Sequence, residues 1–111
     1  MIIYRKMSAS NPLACILNIH RLIGSNYKDW LQNFKIILDS EKLTHMLEQD
    51  PPILPARPST DQRASLKKWM DEDNKARYYM LGSMSDELQH QHEDVKTSRQ
   101  MLAHLQELFG E

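Results

Sequence analysis

Six large apolar side chains between Tyr27 and Leu38 share one helical face, and this spacing constrains the chain more than any other feature. Tyr27, Trp30, Leu31, Phe34, Ile37 and Leu38 stand at i, i+3, i+4, i+7, i+10 and i+11, which is the repeat of about 3.6 residues that builds one apolar stripe. Lys28, Asp29, Gln32, Asn33 and Lys35 take the opposite face. A half-buried strand would need alternation by two, and no segment of the sequence shows it. Gly24 allows a turn before the helix, and Ser25 or Asn26 is the expected N-cap. The aromatics Tyr27, Trp30 and Phe34 could stack nucleic-acid bases or fill a core. They share their face with Leu31 and Leu38, so core is the reading.

The same period recurs downstream. Ser40 is expected to cap a short helix over residues 41–48, ended by Asp50-Pro51-Pro52, because the residue before a proline is pushed out of helical geometry. Ser59 or Thr60 opens the longest helix, which reaches Gly82 with Leu66, Trp69, Met70, Asp73, Ala76, Arg77, Met80, Leu81 and Met84 inward. Lys67–Asp71, Lys68–Glu72 and Asp71–Lys75 are spaced as outer-face ion pairs. Asp73 interrupts the apolar stripe, and Arg77 one turn later is its expected ion-pair partner, since a buried charge is costly unless paired. Ser85 starts another short helix, from Asp86 to about His92. The last runs from about Val95 to Phe109 with Ser98, Met101, Leu102, Leu105, Leu108 and Phe109 as its stripe and Gly110 as its stop. The expected fold is all-α, a small bundle of about four to five helices. An irregular N-terminal segment occupies residues 1–22 and the helical domain residues 23–111. Tyr27, Trp30, Phe34, Trp69, Met80, Leu105 and Phe109 are its expected core anchors.

Within that domain, residues 51–59 form a proline-rich connector. "PPILPARP", Pro51 to Pro58, favours extended polyproline geometry. It contains Pro52-Ile53-Leu54-Pro55 and Pro55-Ala56-Arg57-Pro58, the PxxP form read by aromatic-lined grooves. A plain spacer is the simpler reading.

Charge excludes more than it suggests. Fourteen Lys and Arg balance fifteen Asp and Glu, for a net charge of -1. The spread is even, with six basic and five acidic side chains in residues 1–50. No half carries the basic footprint of a phosphate-binding surface, and near-neutrality does not oppose self-association. Cys15 is the only cysteine, so one chain can form neither a disulfide nor a cysteine-based zinc site. A reducing, cytoplasmic setting is expected, and no apolar run reaches the length of a membrane span.

No catalytic constellation emerges, and neither an enzyme nor a cofactor is expected. His90 and His92 in "QHQHED" point to different sides of a helix. A HExxH motif would need a second histidine where Lys96 stands, so solvated histidines are expected. Cys15 and His20 lack a third orienting group. The three glycines form no phosphate loop, and Asp71-Glu72-Asp73 lacks the spacing of a calcium loop.

As a set, these residues resemble the N-terminal, capsid-like part of a plant copia-type LTR retrotransposon Gag polypeptide. The resemblance starts at "MSASNPL" and passes through "LIGSNYKDWLQNFKIIL", "EKLTHMLEQDPP" and "LKKWMDEDNKARYYMLGSMSDELQHQHED" to "MLAHLQELFGE", covering essentially everything after Lys6. Gly24, Asn26, Tyr27 and Trp30, then Trp69, Asp73, Ala76 and Ser83, then Leu105 and Phe109 carry it. It implies an all-helical, non-enzymatic domain whose copies pack into a particle around element RNA, so the implied partners are other Gag copies or the chain itself. The family as a whole also implies RNA binding, but its CCHC zinc knuckle is not found in this sequence and the charge balance argues against nucleic acid for this part alone. The expectation is an isolated Gag fragment.

Overall fold

The computed structural model describes residues 15–110. Among them are five α-helices, α1 (Cys15–Ile19), α2 (Tyr27–Ser40), α3 (Thr60–Gly82), α4 (Asp86–His92) and α5 (Ser98–Phe109), with one 3-10 turn at Thr44–Leu47. The described residues contain no strand, only an isolated parallel bridge between Leu22 and Met84. The expected all-α bundle is what forms. Within the segment expected to be irregular, residues 1–22, Cys15–Ile19 form α1 instead. Leu17 is buried and holds α1 against the core, and residues 1–14 lie outside the described part.

The apolar stripe of α2 does what its spacing demands. Tyr27, Trp30, Phe34, Ile37 and Leu38 are all buried, and each such side chain contributes roughly 1.5–3 kcal/mol by leaving water. Trp30 and Phe34 stack at 5.1 Å between ring centroids, only 6° from parallel. Met80 and Leu81 from the end of α3, Met84 just past it, and Met101 and Leu105 from α5 close the same core. Trp30 Nε1 donates to Ser83 Oγ at 2.9 Å, so its one polar atom is satisfied inside.

The residues before α2 are laced to the corner between α3 and α4. Leu22 N donates to Ser83 O at 2.7 Å, and Ser85 N donates to Leu22 O at 2.9 Å. Arg21 donates to the Met84 carbonyl. Asn26 sits at the N-cap of α2 but does not cap it with its side chain. Instead its Oδ1 accepts from Ile23 N and its Nδ2 donates to Arg21 O, tying the turn that Gly24 makes at a φ of +108°.

Two helix boundaries differ from the expected ones. Ser40 ends α2 instead of starting a new helix, and its hydroxyl donates back to Ile37 O. Lys42, at a φ of 59°, then reverses the chain into the 3-10 turn that buries Met46. The last helix starts at Ser98, not Val95, because the Thr97 hydroxyl accepts from Gln100 N and fixes the N-terminus there. By contrast, α3 starts where the sequence indicates. Ser59 Oγ accepts from Gln62 N while Gln62 Oε1 accepts from Ser59 N, a reciprocal capping box.

Candidate association face

The core anchors divide into buried and half-buried groups. Tyr27, Trp30, Phe34, Met80 and Leu105 are buried as expected, and Trp30 and Phe34 offer no free ring face to a base. Trp69 and Phe109 are only partly buried and thus pack at the edge of the core and not at its centre. The first half of α3 reaches past the bundle, so this indole leans on the chain after the 3-10 turn and donates from Nε1 to Gln49 O at 3.3 Å.

The expected Asp73–Arg77 ion pair does not form. Asp73 is buried, and its Oδ1 accepts from Ser98 N at 3.0 Å and from Ser98 Oγ at 2.7 Å. The carboxylate therefore sits at the N-terminus of α5, where the helix dipole and unpaired N–H groups favour a negative charge. Arg77 turns to the loop between α4 and α5, donating from Nε to Val95 O at 3.1 Å and from Nη2 to Glu93 O at 3.5 Å. Both charges on the inner face of α3 thus hold residues 93–98 in place. Of the outer-face pairs, Lys67–Asp71 forms at 2.9 Å. Lys75 reaches Glu41 and Glu72 reaches His45 instead.

The histidines also part company. His90 is exposed. His92 is completely buried, contrary to the solvated expectation. Its Nδ1 meets Leu88 O at 2.8 Å and its Nε2 meets His104 Nδ1 at 2.8 Å. A carbonyl can only accept, so His92 carries its proton on Nδ1, and in the uncharged ring Nε2 accepts from His104 Nδ1–H. The pair is a hydrogen-bonded strut between α4 and α5. The described residues contain no group of three or more His, Cys, Asp or Glu placed to hold a metal ion, and none of their helices is long and apolar enough to cross a membrane.

One end of the bundle carries an open hollow. The end of α5 meets the turn before α2, with Phe109 against Tyr27 at 6.2 Å between ring centroids. A Cβ on Gly24 would lie only 3.0 Å from Phe109 Cε1, so glycine there serves both the positive φ and the close approach of the ring. The Tyr27 hydroxyl donates to Gln106 Oε1 at 2.8 Å, and burial raises its pKa above the usual tyrosine value. Outside this contact lies an open hollow of about 730 Å³, lined by Ile23, Leu108 and Phe109 together with the polar Ser25, Asn26, Lys28 and Asp29. Ile23 is 66% exposed and Leu108 47%. Met101 and Leu105 of the same α5 stripe are fully buried, so the stripe is covered along most of its length and bare at its end. The sequence names Leu108 and Phe109 through their period, but nothing local marks Ile23 as their neighbour.

No protein-family model matches this chain, and neither a curated protein nor a solved structure matches it significantly.

Proposed function

We propose that this protein is a non-enzymatic self-association module of the cytoplasm, a capsid-type building block of the kind its resemblance to retrotransposon Gag implies, and that its copies meet through the hollow at Ile23, Leu108 and Phe109. The observation that carries the reading is the exposure of Ile23 and Leu108 side by side with Phe109 at the end of a stripe whose Met101 and Leu105 are fully buried. Exposed apolar patches of this kind mark contact sites. The rim suits a second copy of the same chain. Lys28 and Asp29 stand side by side without an ion-pair partner among the described residues, and a two-fold contact would set each lysine against the other copy's aspartate.

Sedimentation equilibrium across a concentration series tests this. The parent should associate with rising concentration and stay associated in high salt, because burial of apolar surface is not screened. Leu108→Glu combined with Ile23→Glu should remain monomeric with unchanged helical content, since both side chains are exposed. A parent that stays monomeric at high concentration, or an oligomer indifferent to the double substitution, would remove the proposal.

A further inference from the structure

The proline-rich connector has properties that a spacer does not require. Residues 51–55 belong to no helix, turn or bridge, and a bend at Ala56 and Arg57 precedes the cap of α3. No backbone hydrogen bond ties residues 51–58 to the other described residues. Ile53 is 95% exposed, although isoleucine is among the residue types most often buried. Arg57 is exposed and makes no ion pair with a described residue. Both ends of the segment are nonetheless fixed. Arg99 pairs with Asp50 and Trp69 holds Gln49 O on one side, and the Ser59 capping box anchors the other. Between these fixed ends Pro52, Ile53, Pro55, Ala56 and Arg57 are exposed while Leu54 is half-buried, and fixing the ends lowers the ordering cost of binding the segment.

The order of residues matches a reader of one kind. Polyproline geometry has three residues per turn, so Pro52 and Pro55 fall on the same edge. Each completes an X-Pro pair, Pro51-Pro52 and Leu54-Pro55, and Arg57 follows two residues later. Aromatic-lined grooves take such paired prolines, and a carboxylate pocket beside the groove would take the guanidinium. We propose that residues 51–57 are a docking ligand for a partner protein of the SH3 class, its aromatic groove receiving the two X-Pro pairs and its acidic pocket receiving Arg57. The site is separate from the hollow at Ile23 and Leu108 and does not depend on self-association.

Titration of the isotope-labelled full chain with purified SH3 domains that take Pro-x-x-Pro-x-Arg ligands provides the test. Shift changes should centre on the amides of Ile53, Leu54, Ala56 and Arg57. Pro55→Ala and Arg57→Glu should each weaken binding by about tenfold or more, a loss of roughly 1.4 kcal/mol, while both variants melt like the parent. Absence of shift changes with every domain at saturating concentration would overturn the proposal. So would binding that survives both substitutions, or shift changes confined to residues outside 51–58.

Discussion

A phenol withdrawn from water keeps its proton longer, and Tyr27 couples that fact to stability. The Tyr27 hydroxyl donates to Gln106, and desolvation by burial raises its pKa above 10.0. The neutral form is the one the fold accommodates. Its contribution is therefore complete below the unfolded value near 10 and is lost as pH rises through the higher folded value. Tyr27→Phe should lose some stability at pH 8 and then fall less than the parent between pH 8 and pH 11. Urea unfolding at the two pH values checks this; an equal fall in both proteins would take Tyr27 out of the alkaline transition. At this scale the sequence was legible where identity and period agree. Trp30 and Phe34 are apolar, helically spaced and buried. His92 was illegible because its burial depends on an acceptor at Leu88 O and a donor at His104 Nδ1, and a polar residue two positions from another histidine gives no sign of that. Trp69 has the right period but sits at the core's edge, and period alone does not measure how far a core extends.

Between elements, the Asp73 carboxylate joins α3 to α5 through two hydrogen bonds from Ser98. Removing it leaves the Ser98 N–H and hydroxyl buried without their acceptor, and each orphaned group costs about 1–3 kcal/mol. Asp73→Ala should thus destabilise by about 3 kcal/mol. In double-mutant cycles its coupling to Ser98→Ala should exceed its coupling to Arg77→Met. The reverse order would restore the i,i+4 ion pair that the sequence suggests. The sequence reveals the need for a partner, because an aspartate on an apolar stripe must be paired. It shows only the near candidate, since Ser98 lies 25 residues away and becomes a neighbour only when α5 folds back. Helix starts follow the same logic. Ser59 and Ser85 cap through residues within three positions and are readable. Asn26 spends its side chain on the preceding turn, a choice set by the docking of residues 21–23 on the α3–α4 corner.

Over the whole molecule, the described residues span 47 × 30 × 23 Å, with the exposed first turns of α3 reaching beyond the core. Helical class and the Gly24-to-Phe109 closure were accessible in different degrees. The class follows from a period repeated along the chain, whereas the closure joins two ends that no local pattern relates. The connector at residues 51–58 has a further consequence. It makes no backbone hydrogen bond with the other described residues, while the contacts that close the core run across it, from Trp30 to Ser83, from Leu22 to Ser83 and Ser85, and from Tyr27 to Gln106. The information for docking α2 therefore resides in the facing surfaces and not in the peptide bonds that link them. A piece ending at Leu54 and a piece beginning at Pro55, made separately, should recombine on mixing into a helical 1:1 complex. Circular dichroism of the mixture should exceed the sum of the two alone, and the gain should vanish with Trp30→Ala. Spectra that simply add would show that the connector is needed to bring the halves together. Recombination would make this small domain a split pair, two chains that become one fold only when they meet.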